Sequence, residues 1–281
     1  MNLKEQIIDD IHNQQPILKY AYLNEGASNF IDVTKSKQYY YYRTEMKIIK
    51  ENIKLIRNSL NNTVVELGVG DGSKLNAILP PDKNAVLVDI SEEMLKKAQM
   101  LIDRPVTVLN SSFEDINYEQ IGDNVTFLFL GGTLGNFEMW ENLLAKFKSH
   151  CINSNILIGM EFDEEQCSED IKKVLEGYYN SDIQKFVFNP LRLLGLSINH
   201  GKLDVNFNDE YKRIEFYFYL NDEGKAAWFD NTRREAPEKI LLTLVNKPTR
   251  KTFIEKVKQL GFKLGKLNIA SDGISIIEFC W

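Results

Sequence analysis

Apolar positions follow two alternating patterns along the middle of the chain. Short runs that are apolar almost throughout, VVELG from Val64, AVLVDI (85–90), PVTVLN (105–110), VTFLFLGG (125–132) and NILIGMEF (155–162), predict strands buried on both faces. Between them apolar residues recur at helical spacing. Helices are predicted to about Leu79, from the capping residue Ser91 with Glu93 and Met94 in its first turn, and from Glu138 to Ser149. Such alternation is the signature of repeated βαβ units and predicts a doubly wound parallel sheet.

The flanks carry other patterns. Leu3, Ile7, Ile8 and Ile11 predict a helix over 3–14 closed by Pro16, and Met46, Ile49, Ile53 and Ile56 predict a single helix over 44–59 leading into the first strand. Beyond a predicted helix at 165–178, Ile214, Phe216, Phe218 and Leu220 alternate with Arg213, Glu215, Tyr217 and Tyr219, the period of an antiparallel strand. A helix over 249–260 then precedes KLGKLNIA and GISIIEFCW, two strands joined by Ser271-Asp272-Gly273. The expected architecture is α/β. A Rossmann-like doubly wound sheet with a C-terminal antiparallel hairpin occupies 44–180 and 249–281, and a smaller α+β annex for substrate occupies 1–43 and 181–248.

Chemistry enters at VVELGVGDGSK (64–74), where a strand ends in Gly68, Gly70 and Gly72 and opens into a helix. Glycine permits the left-handed backbone and close ligand approach such a turn needs, and the free N–H groups of the new helix face the crevice. Asp89 ends the next strand, on the side where open α/β sheets bind ligands. Its carboxylate can accept both ribose hydroxyls of a nucleoside, or merely cap the helix from Ser91. A glycine turn alone also suits NAD. Glu66, the G-x-G-x-G spacing and the terminal hairpin point instead to S-adenosylmethionine (SAM).

Six tyrosines, Tyr20, Tyr22 and Tyr39 to Tyr42, crowd the segment before this domain. Phenols suit the wall of a polar pocket or an interface, and packing at the surface is the plainer reading. With 34 basic and 40 acidic residues the net charge is -6, which opposes binding to nucleic acid. Cys151, Cys167 and Cys280 are widely spaced and accompanied only by His12, His150 and His200, so neither a metal site nor a disulfide framework is expected. With no apolar signal core or membrane-length run, a cytoplasmic location and no membrane partner are expected.

Three motifs carry a family resemblance: KYAYLNEGASNFIDVTKSKQYYYYRTE, VVELGVGDGSK and FLFLGGTLGNF (127–137). With these the chain resembles the histidine-specific SAM-dependent methyltransferases, whose best-known activity methylates the α-amine of histidine on the ergothioneine pathway. The resemblance implies SAM contacts at Glu66, Gly68, Gly70, Gly72, Lys74 (the methionyl carboxylate), Asp89 (ribose), Phe113 (adenine) and Thr133, with Ser112 where the family has an acidic residue. It implies that Tyr22, Asn136 and Tyr178 carry the transfer and hold the amino acid, with Tyr39, Phe137, Leu244 and Asn246 as further substrate positions. In the family the substrate lies between the Rossmann core and the annex.

One departure bears on the substrate. Leu244 and Asn246 stand where the family's imidazole-reading Glu and Ser would be, and a site lacking that acceptor leaves an imidazole N–H unpaired. The expected activity is SAM-dependent N-methylation of a small-molecule amine, the α-amino group of an amino acid other than histidine. The alternatives are a protein or RNA methyltransferase and a non-catalytic SAM-binding pathway protein.

Overall fold

The computed structural model describes residues 2–163 and 174–281, which divide into two compact units, one of residues 39–163 and 247–281 and a smaller one of 2–38 and 174–246. In chain order the helices used below are α1 (Leu3–His12), α2 (Gly26–Lys35), α3 (Tyr40–Glu51), α4 (Ile53–Asn58), α5 (Ser73–Ile78), α6 (Glu92–Ile102) and α7 (Trp140–His150). Strands β1 (Thr63–Leu67), β2 (Asn84–Asp89), β3 (Thr107–Asn110), β4 (Val125–Phe129) and β5 (Asn155–Glu161) are followed by β6 (Gly201–Asn208), β7 (Arg213–Leu220) and β8 (Ile240–Asn246). Last come β9 (Lys263–Ser271) and β10 (Ile274–Cys280).

In the larger unit the described residues form a seven-stranded sheet in the order β3-β2-β1-β4-β5-β10-β9. The first five strands are mutually parallel, while β10 runs antiparallel to both β5 and β9. Successive residues feed opposite layers: Val65, Leu67, Phe127 and Phe129 pack with Phe147 and Phe253, whereas Val64, Leu128 and Leu157 pack with Ile48, Ile49 and Leu75. Burial on both faces is why these strands read as continuous apolar runs. The sheet thus matches the expected doubly wound fold, and the terminal hairpin closes its edge with β10 innermost.

The helix expected over 44–59 is two helices. It starts earlier, at Tyr40, and breaks at Asn52, whose side-chain amide donates to the Ile48 carbonyl at 2.9 Å. The face is rotated as well. Tyr41, Glu45, Ile48 and Ile49 are buried, whereas Met46 and Ile53 are only half-buried.

The smaller unit holds an antiparallel β6-β7-β8 sheet with α1, α2 and helices at Ser181–Val187, Asn189–Leu193 and Asp222–Thr232. Ile214, Phe216, Phe218 and Leu220 of β7 are buried as their alternation predicts. Glu215 on the opposite face is buried too, because Arg213 neutralises it at 2.6 Å. Residues 174–180, which the sequence pattern joins to the SAM-binding domain, fall in this unit. Tyr178 packs edge-on against Phe216 at 5.1 Å, and Asn180 caps the helix at Ser181 while its amide donates to Ser36 Oγ at 2.8 Å. Cys167, and the helix expected over 165–178 up to residue 173, lie outside the described residues. No helix among the described residues is long and apolar enough to cross a membrane.

Candidate functional site

The glycine turn is built as its spacing predicts. Gly68, Gly70 and Gly72 have φ of 71°, 56° and 80°, the left-handed region that side chains rarely adopt. Each serves a separate need. A Cβ at Gly68 would lie 3.1 Å from the ring edge of Phe113, one at Gly72 would lie 2.8 Å from the Cα of Ala98 on α6, and one at Gly70 would meet nothing within 4 Å. Open space therefore sits over the middle glycine. Asp89 closes the turn from β2: its Oδ1 accepts the Ser91 N–H at 2.8 Å and its Oδ2 the Gly70 N–H at 3.2 Å. Each oxygen keeps a lone pair for a further donor. Burial pushes the Asp89 carboxyl up to about 6, against the lowering effect of these N–H donors.

Glu66, in the middle of the sheet on β1, is 1% exposed and its Oε2 has no hydrogen-bond partner among the described residues. Burial holds its carboxyl well above the ordinary carboxylate range, so the neutral acid is favoured there. Lys74, expected at a ligand carboxylate, is paired with Glu45 at 2.6 Å. Glu45 is 0% exposed. Its two oxygens accept the Gly131 N–H at 2.9 and 3.0 Å, and Tyr41 Oη donates to Oε1 at 3.3 Å. The carboxylate lies against Gly159 of β5, where a Cβ would collide with Oε1. Sequence reasoning missed Glu45. The signal was its place at i+4 from Tyr41 and three and four residues before Ile48 and Ile49, a polar residue in an apolar stripe.

Beyond β4, Gly131 (φ 82°) and Gly132 (φ 68°) turn the chain into a single 3-10 turn, Thr133–Asn136. Thr133 Oγ1 donates to the Leu130 carbonyl at 3.1 Å, and its methyl lies 3.8 Å from where a Gly68 Cβ would stand. Phe113 packs against Phe129 and Phe137 at 5.2 and 5.8 Å, so the expected adenine and substrate aromatics share one cluster. Ser112 is engaged as a helix cap, accepting from the Glu114 N–H at 3.1 Å. Asn136 is half-buried, and its side chain has no hydrogen-bond partner among the described residues. Tyr39 stacks on Tyr41 at 6.4 Å.

A second charged group ends β5. Glu161 accepts from Tyr40 Oη and pairs with the ammonium of Lys247, a residue only 6% exposed. Burial, reinforced by Asp163, pushes Glu161 up to about 7, and burial pushes Lys247 down to about 7. Nothing in the sequence pattern marks this pair.

The remaining expected substrate positions lie in the smaller unit. Tyr22 is packed edge-on against Phe30 and Phe186 at 5.2 and 4.9 Å, and Tyr178 against Phe216. Leu244 is 0% exposed and stands directly across from Glu215 on the same face of the β6-β7-β8 sheet, with Asn246 across from Arg213.

The larger unit thus gathers Gly68, Gly70, Gly72, Lys74, Asp89, Phe113 and Thr133 beyond the carboxyl ends of β1, β2, β3 and β4, a donor and acceptor set that fits SAM. Comparison with known proteins agrees. A PH0226 protein from Pyrococcus horikoshii OT3 matches with a TM-score of 0.55 at 14% identity, over 92% of this chain and 98% of that one. Magnesium protoporphyrin IX methyltransferase from Synechocystis PCC 6803, solved with SAH bound, matches with a TM-score of 0.51 at 11% identity, over 93% and 96%. At these identities the likeness is one of fold. Among curated proteins, ergothioneine biosynthesis protein 1 of Schizosaccharomyces pombe is 26% identical over 220 residues, 69% of this chain, which spans 28% of that relative's length. Residues 3–274 match the model for the family described as histidine-specific methyltransferase, SAM-dependent, and the chain belongs to that SAM-dependent methyltransferase family.

Proposed function

We propose that this methyltransferase acts on the amine of a small molecule, the α-amino group of an amino acid or derivative other than histidine. The observation that carries the substrate reading is Leu244. It is fully buried on β8, and the carboxylate directly across from it, Glu215, is already paired with Arg213 at 2.6 Å. An imidazole N–H directed at Leu244 would lose water without gaining an acceptor from that side chain, a penalty of roughly 1–3 kcal/mol. Glu215 is already engaged by Arg213 at Oε1 and by the Tyr217 hydroxyl at Oε2. An apolar or differently charged side chain escapes it.

SAM, when bound, supplies an activated methyl group on a sulfonium. Asp89, the glycine turn and Lys74 are the residues that would hold it. What the rest of the site must do is position a neutral amine, and correct positioning alone can contribute roughly 7–11 kcal/mol. Asn136 offers both a carbonyl and an amide for that task. An α-amine with a pKa of about 8 must shed a proton first, which the neighbouring sulfonium charge favours.

The test is mass spectrometry after incubation with SAM and a pooled amine and amino-acid library containing histidine. Products carrying one to three added methyl groups on a non-histidine amino acid are expected. Histidine as the best substrate would overturn the reading, as would labelling of protein or RNA alone. SAM binding without turnover of any acceptor would favour a non-catalytic role.

A further inference from the structure

The donor and its spent form differ by one charge. SAM carries a sulfonium, whereas S-adenosylhomocysteine (SAH) carries a neutral thioether, and the two share every other group. A lysine that receives the methionyl carboxylate therefore cannot tell them apart. A fixed carboxylate nearby can, because it attracts the form with the extra positive charge.

Glu45 has the properties of such a fixed charge. It is held by both of its oxygens on the Gly131 N–H, by Tyr41 Oη and by the bare backbone of Gly159, so it cannot swing away when a ligand arrives. It is completely buried, so water and salt screen it weakly. It touches Lys74 at 2.6 Å on one side and, through Gly131, the start of the loop that carries Thr133 and Asn136 on the other. Lys74 and Glu45 cancel as a pair. Ligand carboxylate drawn to Lys74 upsets that balance, and a cationic centre on the same ligand restores it.

We propose that Glu45 is a selectivity residue whose buried carboxylate makes the cradle prefer the sulfonium donor to the thioether product, so that loss of the methyl group itself weakens retention of the spent cofactor. The role depends on SAM use, which family membership establishes, and not on the identity of the acceptor. Glu66, which also feels the charge of Lys74, is held toward its neutral form by burial, and Glu45 is the carboxylate in direct contact with the lysine.

The test is calorimetric titration of the full chain with SAM and with SAH, in the original protein and in Glu45→Gln and Lys74→Met. Glutamine keeps an acceptor for Gly131 but removes the charge. Its SAM affinity should fall about tenfold while SAH affinity holds or rises, shifting the ratio of the two about tenfold or more toward SAH. Lys74→Met leaves Glu45 unbalanced and should move the ratio the opposite way, toward SAM. Equal losses for both ligands in Glu45→Gln would mean the carboxylate only holds the loop together, and would overturn the proposal, as would no change in either. Should Glu45→Gln fail to fold, Lys74→Met decides alone: a ratio unchanged or moved toward SAH overturns it. A protein that binds neither ligand does so as well.

Discussion

The N–H of Gly70 donates to Asp89 Oδ2 at 3.2 Å, fastening the middle glycine of the turn after β1 to the carboxylate that ends β2. One side chain thus shapes the turn and, in the proposed reading, receives the ribose. The same position gives it an unusual titration, at about 6 rather than near the ordinary aspartate value. If the ionised carboxylate receives the ribose hydroxyls, SAM affinity should be complete above about pH 6 and fall as pH drops through that value, since the proton then occupies the acceptor. Calorimetry from about pH 5 to 8 measures this. Asp89→Asn should bind SAM at least about tenfold more weakly and flatten the pH profile, because charge-assisted bonds are worth about twice neutral ones. A profile in the variant as steep as in the original protein would assign the titration to another group.

The middle and last glycines of the turn predict a contrast. Gly72→Ala puts a methyl 2.8 Å from the Ala98 backbone at a φ of 80°, so it should lower stability by about 2–4 kcal/mol through strain and overpacking. Gly70→Ala carries only the conformational strain, about 1–2 kcal/mol, but its methyl enters the open space over the turn. Thermal melting should rank Gly72→Ala the worse, whereas SAM titration should show Gly70→Ala impaired well beyond its stability loss.

The proposed role of Asn136 separates binding from transfer. Its side chain has no hydrogen-bond partner among the described residues and lies three residues beyond Thr133, away from the glycine turn in sequence. Asn136→Ala should keep SAM affinity within about twofold while turnover falls about 100-fold or more. Parallel losses in both would contradict that division.

The buried pair at the end of β5 makes a stability prediction. Lys247→Met strands Glu161, and Glu161→Gln strands Lys247; each should lower stability by about 3–5 kcal/mol. The double change Glu161→Leu with Lys247→Met should recover most of the loss, because two apolar side chains avoid the desolvation cost. Denaturant unfolding of the three variants decides it, and additive losses would show that the two residues act separately.

The five parallel strands, the glycine turn and Asp89 were legible because each is a local pattern: a two-sided apolar run, an alternation of glycines, a carboxylate at a strand end. What escaped depends on residues far apart. Glu45 acquires its role only when Gly131 and Gly159 arrive from β4 and β5, and Glu161 meets Lys247 from the far side of the intervening chain. The helix pattern misled for a related reason. Reading residues 44–59 as one amphipathic helix requires Met46 and Ile53 inside, whereas the stripe buried in α3 runs through Tyr41, Glu45, Ile48 and Ile49. Ile49 and Ile56 of the expected face are buried, but the break at Asn52 lets the stripe of α3 shift onto Glu45. Leu244 shows the converse: the side chain was readable, but Glu215 directly across from it was not, since strand register is invisible in a single sequence.

The placement of β10 has a kinetic consequence. Pairing Cys280 with Asn155 and Ile274 with Glu161, it fills the gap between β5 and β9, so an interior strand is supplied from much later in the sequence than the strand it pairs with. Until those residues emerge during synthesis, β5 presents an unpaired apolar edge, the kind of surface that invites mispairing with other chains. Closure of such a non-local contact is slow. Assembly of the sheet beneath the glycine turn therefore waits on a strand that carries none of the turn's residues.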